Sequence, residues 1–305
     1  MAEDVIANRR EFLEALVAAR HLIPSGVPGV YGRSGVFEDI VDRVGALITA
    51  LGANDGAEVM RFPPIISRKT FEQSEYLKGF PDMAGTVHSF RGKDKEHKEL
   101  LVALEEGRDW SEGFPATGVV LAPAACYPVY PTATGTLPPE GKIVDVLTYC
   151  FRHEPSDDPA RMQAFRQREH VRIGDPEGVR AWREVWLGRG QQLIEMLALD
   201  GRPDVANDPF FGRGGRMLKI DQREQQLKFE MLVPITSVEA PTAVISFNYH
   251  QDHFGRAFKI ATANGEVAHT ACVGFGMERI TLAMFKTHGV DPKTWPTAVR
   301  AKLWP

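Results

Sequence analysis

Two stretches decide the fold of this chain: Phe151-Arg152-His153-Glu154, followed after a polar loop by Arg161-Met162-Gln163-Ala164-Phe165-Arg166-Gln167-Arg168-Glu169-His170, and then Gly274-Phe275-Gly276-Met277-Glu278-Arg279-Ile280. The first has the pattern of a strand–loop–strand hairpin crowded with five arginines, at positions 152, 161, 166, 168 and 172. Guanidinium groups bind phosphate oxygens in a bidentate manner and stay charged at any working pH. The hairpin therefore suits a polyphosphate, and Phe165 offers a face on which a base could stack. On composition alone, a solvated arginine-rich hairpin is the alternative.

The second stretch places two glycines before a predicted helix whose first turn carries Arg279. Glycines at a helix start allow a ligand to approach the backbone closely. This pattern is common, so it gains weight only beside the arginine hairpin.

Hydrophobic spacing outward from these stretches predicts helices mixed with short strands. Predicted helices lie within residues 1–55 on either side of a Pro/Gly-rich connection at Pro24–Val30, and at Phe71–Leu77, Val179–Leu199 and Gly274–Lys286. The charged stretch His88–Glu106 is expected to be solvated and partly helical. Predicted strands lie at Val59–Phe62, Val119–Leu121, Ile143–Leu147, His170–Ile173, Gln226–Ile235 and Thr242–Asn248. The order favours an α+β fold, with an N-terminal helical segment at 1–55 and a catalytic domain at 56–305.

Composition excludes several classes of protein. The 305 residues are 43% hydrophobic and 25% charged, which is ordinary for a globular chain, and the net charge of −4 does not favour a nucleic-acid binder. Three distant cysteines do not form a disulfide framework and suit a reducing compartment. Since no signal peptide or membrane span is visible, we expect a soluble cytoplasmic protein without membrane contacts.

Taken together, the two stretches resemble motifs 2 and 3 of class II aminoacyl-tRNA synthetases, most closely the seryl enzymes. Glu58-Val59-Met60-Arg61-Phe62-Pro63-Pro64 resembles motif 1, the strand of that family's dimer interface. The resemblance covers roughly residues 55–290. It implies an antiparallel sheet flanked by helices and a homodimer.

The resemblance also implies roles for the residues that bind ATP with its Mg²⁺. Arg152 would hold the α-phosphate as the catalytic residue, Glu154 would meet the adenine edge, and Arg161 would reach the outer phosphates. Phe165 and Arg279 would sandwich the adenine, a stack that is physically sensible. Further ATP contacts would come from Lys228 and Glu230 and from the strand Ala243, Val244, Ile245 and Ser246. In one departure, Val244 stands where the family has a magnesium-binding glutamate.

A zinc site follows from the same resemblance. Pro123-Ala124-Ala125-Cys126 matches the stretch in which common seryl enzymes bind the substrate amine, Glu169 closes motif 2, and Cys272 precedes motif 3. Two thiolates and a carboxylate suit one Zn²⁺ per subunit and leave the fourth position open for the substrate amine. The alternative is that Cys126 and Cys272 are buried as small hydrophobic residues, the role assigned to Cys150.

This zinc pattern occurs in the atypical seryl-tRNA synthetases of methanogenic archaea and in the amino acid:[carrier protein] ligases, their truncated homologues. Only about 55 residues precede motif 1, and they contain no basic arm for tRNA. The chain therefore resembles the ligases, which implies activation of glycine or alanine with ATP and transfer to the phosphopantetheine thiol of a carrier protein, without tRNA. The alternatives are a zinc-dependent seryl-type synthetase with a separate tRNA-binding partner, and a non-catalytic paralogue.

Four further expectations concern single features. The acidic carrier would dock on the helix Arg180–Leu199, through Arg183 and Arg189, or on the segment Arg213–Lys219. His250 and His253 are expected to have polar or structural roles, and Glu278 to orient its neighbours at the start of a helix.

Overall fold

A seven-stranded sheet organises the chain in the computed structural model, which describes residues 2–206, 208 and 225–305. The strands are β1 (Leu22–Pro24), β2 (Tyr31–Arg33), β3 (Glu58–Arg61), β4 (Ile65–Ser67), β5 (Thr86–His88), β6 (Ala116–Leu121), β7 (Gly135–Thr136), β8 (Lys142–Phe151), β9 (Ala164–Gly174), β10 (Arg202–Val205), β11 (Lys228–Val233), β12 (Thr242–Gln251), β13 (Ile260–Ala261) and β14 (His269–Gly276). The helices are α1 (Ala2–Ala18), α2 (Gly35–Leu51), α3 (Arg68–Gln73), α4 (Tyr76–Gly79), α5 (Asp94–Glu105), α6 (Pro176–Met196), α7 (His253–Phe258), α8 (Met277–His288) and α9 (Thr297–Leu303). Single 3₁₀ turns lie at Pro81–Met83, Tyr130–Ala133 and Pro292–Thr294.

The main sheet has the strand order β10-β11-β12-β14-β9-β8-β3. Every neighbouring pair is antiparallel except β3 and β8 at the edge, which are parallel. A three-stranded sheet, β4-β6-β5, and two small two-stranded sheets complete the strands. This arrangement confirms the predicted α+β class with an antiparallel sheet flanked by helices.

Apolar side chains cover both faces of the main sheet. Helices α2, α6 and α8 lie on one face, where Trp186, Phe247 and Phe275 are fully buried. On the other face a second cluster contains Tyr130, Phe254 and the three cysteines. Since successive residues of a strand point to opposite faces, one strand can contribute to both clusters: β14 places Val273 and Phe275 in the first and Cys272 in the second. We call the apolar cluster beneath α2, α6 and α8 the helix-side cluster. The first 51 residues contribute to it, because Phe12, Leu16 and Ile40 pack into it.

Most predicted elements are present, and two predictions fail for physical reasons. The single helix predicted at Phe71–Leu77 is two short helices, α3 and α4, because Glu75 between them has a left-handed backbone. The predicted last helix does not begin at Gly274, since Gly274 and Gly276 still belong to β14. The short helices α7 and α9 were not predicted. None of the described helices is both long and apolar enough to cross a membrane.

Candidate active site

A cleft of about 630 Å³ lies on the face of the main sheet opposite helices α2 and α6. Its floor follows from strand alternation, because side chains two residues apart share a face. The strand register aligns one row across the sheet, Glu230, Ser246, Gly274 and Glu169, and a second row of Lys228, Asn248 and Cys272. Residues far apart in sequence therefore meet on one surface.

The guanidinium groups of Arg152 and Arg279 line the cleft. Arg152 donates from Nε to the Pro123 carbonyl at 3.1 Å, and its guanidinium carbon lies 5.5 Å from the centre of the Phe165 ring. Arg279 donates to the carbonyls of Ala160 and Ala243 at 2.9 and 3.0 Å. Burial, together with the positive charges of Arg152 and Arg161, lowers the pKa of Arg279. An anion bound beside these groups would relieve that repulsion.

The other residues assigned to ATP differ in their exposure. Arg161 is largely exposed and forms a 3.0 Å ion pair with Glu154. Lys228 is buried between Glu230, at 2.9 Å, and Asp208. Burial alone would lower the pKa of Lys228, but these two carboxylates raise it overall, so the amine stays charged.

The strand Ala243–Ser246 presents mainly backbone to the cleft. The side chains of Val244 and Ile245 belong to the helix-side cluster and are almost completely buried. Ser246 faces the cleft. Contacts from Val244 and Ile245 to a ligand are therefore limited to their peptide groups.

Cys126, Glu169 and Cys272 also line the cleft, where they form a cluster. One ligand atom from each lies within 4.8 Å of the other two, and all three residues are buried. The Oε1 atom of Glu169 accepts hydrogen bonds from the backbone N–H groups of Ala125, at 2.8 Å, and Cys126, at 3.3 Å. Burial, and then the proximity of Cys272 and Glu169, raises the pKa of Cys126 well above its usual value.

This donor set fits Zn²⁺, because two thiolates and one carboxylate are preferred zinc ligands and three protein ligands leave a fourth position open. A bound cation would also offset the repulsion that raises the pKa of Cys126. The Tyr130 hydroxyl gives a second sign of an additional group, since it is buried beside Cys126 but makes no well-aligned hydrogen bond with any described residue. The ring of Tyr130 stacks on Phe254, a residue that lines the cleft, with centroids 4.1 Å apart.

Polar groups from β12 surround the sulfur of Cys272. The Nδ2 atom of Asn248 lies 3.4 Å from Sγ, and Nε2 of His250 lies 3.6 Å from it. Burial lowers the pKa of His250 to about 3, so its imidazole is neutral near pH 7. His253, in contrast, lies exposed at the cleft mouth, where Nε2 is 3.4 Å from the Ser74 carbonyl.

The arginine-rich hairpin divides its charges between two faces. Arg166 pairs with Glu38 and Glu278, and Arg168 pairs with Asp145 on the helix side of the sheet. Arg172, in the same phase of β9, does not line the cleft either, so the expectation that all five arginines serve one ligand is wrong for these three. Glu278 orients its neighbours as predicted, since it accepts a hydrogen bond from the backbone N–H of Arg166 at 2.7 Å.

Several cleft residues were not singled out from the sequence. Gln167 lies between Phe165 and Glu169 on the cleft face of β9, and Tyr127 lies next to Cys126. Asn248 also lines the floor, two residues beyond Ser246. The period of two along β9 and β12 was the signal that could have identified Gln167 and Asn248.

Of the two surfaces suggested for carrier docking, the structure describes only the one on α6. On α6, Arg183 is buried, pairs with Glu184 and donates to the Gln226 carbonyl, and Arg189 is held by Asp55 at 2.8 Å. These two arginines therefore stabilise the fold internally. The segment Arg213–Lys219 lies outside the described residues.

Comparison with known proteins connects this site to a family. The amino acid--[acyl-carrier-protein] ligase 2 of Bradyrhizobium diazoefficiens is 49% identical over 280 residues, which cover 91% of this chain and 84% of that protein. Ligase 1 of the same organism is 49% identical over 277 residues, covering 90% and 85%. The chain belongs to the amino acid--[acyl-carrier-protein] ligase family. No family model matches it.

Relatives of this ligase family include larger proteins. The type-2 serine--tRNA ligase of Methanopyrus kandleri is 30% identical over 274 residues, which span 81% of this chain but only 51% of that protein. The structure of the M. kandleri seryl-tRNA synthetase with A. aeolicus tRNASec superposes with a TM-score of 0.81 at 23% identity, covering 96% of this chain and 60% of that one. The Pyrococcus horikoshii seryl-tRNA synthetase complexed with ATP gives 0.69 at 13% identity, covering 96% and 62%. These structures confirm the class II synthetase fold.

Proposed function

We propose that the protein activates a small amino acid, glycine or alanine, as its aminoacyl-adenylate and transfers the aminoacyl group to the phosphopantetheine thiol of a carrier protein. The observation that carries this proposal is the shared cleft, which is lined by cationic Arg152 and Arg279 and by the cluster of Cys126, Glu169 and Cys272. An anionic nucleotide suits the two arginines, and a small amine suits a metal held by the cluster. Membership in the ligase family supports the choice of acceptor.

In the first step, the carboxylate oxygen of the amino acid attacks the α-phosphorus of magnesium-bound ATP in line, and the bond to pyrophosphate breaks. Arg152 offsets the charge that develops on the α-phosphate, and no protein nucleophile is needed. Phe165 and Arg279 hold the adenine between them. Lys228, which is buried and charged, and Arg161, at the exposed rim, are the groups for the outer phosphates.

In the second step, the carrier's thiol sulfur attacks the acyl carbonyl carbon. The bond to the adenylate oxygen breaks, AMP leaves, and the thiol proton is released to the AMP phosphate or to solvent. Positioning of both reactants in one cleft is sufficient to account for this step.

The cluster of Cys126, Glu169 and Cys272 would hold one Zn²⁺ per subunit. When bound, the cation supplies a Lewis-acid position for a deprotonated amine. Glu169 is already oriented for this role by the two backbone N–H groups that bond to Oε1.

The proposal includes a homodimer that does not use tRNA. Strand β3 lies at the edge of the main sheet, paired only with β8 among the described strands, and its Val59 is 65% exposed. An unpaired, apolar strand edge is a natural surface for a second copy.

The test is amino-acid-dependent exchange of pyrophosphate into ATP, followed by transfer from the adenylate to tRNA or to a phosphopantetheinylated carrier protein. We expect exchange with glycine or alanine, and transfer to the carrier alone. Charging of tRNA would instead identify a seryl-type synthetase that needs a separate tRNA-binding partner. An absence of exchange with all twenty amino acids would identify a non-catalytic paralogue.

A further inference from the structure

Two side-chain nitrogens from the neighbouring strand lie within hydrogen-bonding distance of the Cys272 sulfur. Asn248 lies directly opposite Cys272 in the register of β12 and β14. His250 follows two residues later on the same face, and its Nε2 atom reaches to 3.6 Å from Sγ. Such a distance suits an N–H group that donates to sulfur.

The second ring nitrogen of His250 has a partner of its own. Its Nδ1 atom lies 3.0 Å from Oγ1 of Thr270, a residue that is completely buried. A metal-bound thiolate can only accept a hydrogen bond, so the Nε2 atom of a neutral imidazole must carry the proton. Nδ1 must then accept from the Thr270 hydroxyl. The chain of donors therefore runs from Thr270 through His250 to Cys272.

Aromatic packing fixes the plane of this imidazole. The ring of Phe254 meets it edge to face at a centroid distance of 4.9 Å, and Tyr130 does so at 6.4 Å. With its plane fixed by these rings and its tautomer by Thr270, His250 has one direction in which to donate.

We propose that His250 is a positioning residue of the zinc site, which donates from Nε2 to the Cys272 thiolate while the Thr270 hydroxyl fixes its tautomer. Two thiolates and a carboxylate around Zn²⁺ carry a net charge of −1 in a buried site, and an N–H donor withdraws part of that charge from sulfur. The cation then binds more tightly and remains more electrophilic toward the substrate amine. This inference rests on the zinc site of the proposed function.

Two substitutions separate donation from packing. In His250→Gln, the side-chain amide nitrogen can occupy the position of Nε2 and still donate to sulfur. In His250→Asn, the amide occupies the position of Nδ1 and cannot reach Cys272. The measurement is zinc affinity of the full chain by competition with a chelator, together with the thiolate-to-metal absorption band of the Co²⁺-substituted protein.

We expect zinc affinity to fall about 10- to 100-fold in His250→Asn, with a shifted cobalt band, and to stay close to the original value in His250→Gln. Equal affinities in the two variants would overturn the inference. His269→Gln is the matched control, because His269 lies on the same strand as Cys272 but hydrogen-bonds to Tyr249 instead. Its zinc affinity should not change.

A second variant keeps the test valid if His250→Asn does not fold. Thr270→Val retains the shape of a buried side chain and the imidazole but removes the hydroxyl, so zinc affinity should still fall; an unchanged affinity and cobalt band would overturn the inference. Metal content of the unsubstituted protein distinguishes a failure of the zinc site from a failure of the role of His250. If that protein holds no zinc, the metal site of the proposed function fails; if it holds zinc and both substitutions are silent, only the role of His250 fails.

Discussion

The three cysteines are all buried but have different neighbours, which makes the proposed metal site testable one side chain at a time. Cys126 and Cys272 lie within 4.8 Å of a Glu169 oxygen, whereas the sulfur of Cys150 lies 3.5 Å from the amide oxygen of Gln167. We expect Cys126→Ala and Cys272→Ala to purify without stoichiometric zinc, because removal of one of three protein ligands leaves too few. Cys150→Ala, the matched control, should keep it.

Metal analysis of the purified variants gives the result directly. Stoichiometric zinc in both Cys126→Ala and Cys272→Ala would contradict the proposed ligands. Loss of zinc from Cys150→Ala as well would mean that the packing of the whole cluster, rather than ligation, controls metal content.

A second residue-scale prediction concerns acid stability. His170 is only 2% exposed, its ring packs at a tilt against Trp186 with centroids 4.3 Å apart, and neither ring nitrogen bonds to any described residue. Burial lowers the pKa of His170 to about 4, against the opposing charge of Asp145. The unfolded chain takes up this proton near pH 6.5 and the folded protein only near pH 4, so the free energy of unfolding decreases as pH falls between these values.

Between pH 7 and pH 5 this histidine should cost about 2 kcal/mol of stability. Denaturant unfolding of the original protein and of His170→Leu at both pH values measures the effect. The variant should lose less stability on acidification, whatever its stability at pH 7. An identical loss in both proteins would show that His170 does not carry the acid sensitivity.

At the scale of single elements, the hairpin β8–β9 shows what a sequence can predict. Arg152, Phe165 and Glu169 were assigned to the cleft from motif spacing, and all three line it. Once Phe165 and Glu169 are assigned to the cleft, strand alternation places Arg166 and Arg168 on the opposite face, and the interpretation of the hairpin as one arginine cluster did not apply this period.

Strand β12 was predicted to end at Asn248, but it continues to Gln251. Its last residues are polar and resemble a loop in sequence, yet they stay paired with β14, where Tyr249 lies opposite Ala271 and Gln251 opposite Thr270. Contacts between distant segments therefore decided where this strand ends, and they brought His250 to the metal cluster.

The floor of the cleft depends on a glycine of β14. A Cβ atom on Gly274 would lie 3.0 Å from Nε2 of Gln167 and 3.1 Å from Oγ of Ser246, closer than ordinary contact. We expect Gly274→Ala to lower kcat/KM for pyrophosphate exchange tenfold or more, since overpacking costs about 1–3 kcal/mol. Its backbone is compatible with alanine, so the loss should appear in substrate binding rather than in folding.

Gly118→Ala is a suitable control for this change. Gly118 also lies in a strand, β6, but a Cβ there would meet no atom within 4 Å. Exchange kinetics should show a lower kcat/KM for Gly274→Ala alone. The thermal unfolding temperatures of both variants, measured alongside, should stay close to that of the original protein. Wild-type kinetics in Gly274→Ala would mean that the floor has room to spare.

At the scale of the whole molecule, the sheet separates a structural face from a chemical one. Helices α2, α6 and α8 cover the first with large apolar side chains, and the second holds the cleft. The class of fold was predictable because motif spacing and hydrophobic periodicity are local signals. The strand order β10-β11-β12-β14-β9-β8-β3 pairs segments as far apart in sequence as β9 and β14, where Gln167 lies opposite Gly276, and no local pattern in the sequence encodes it.

The two ends of the chain share the helix-side cluster, since Val299 and Leu303 of α9 pack there with Ile40 of α2. Arg43 donates to the Leu303 carbonyl at 2.8 Å, and the Trp304 indole donates to Asp39 at 3.0 Å. Deletion of residues 297–305 should therefore destabilise the helices near the N-terminus. We expect a protease to cut the truncated protein first within residues 1–51, and mass spectrometry of the fragments would locate that cut. A C-terminal tag that displaces the last residues would also destabilise the packing of the first two helices.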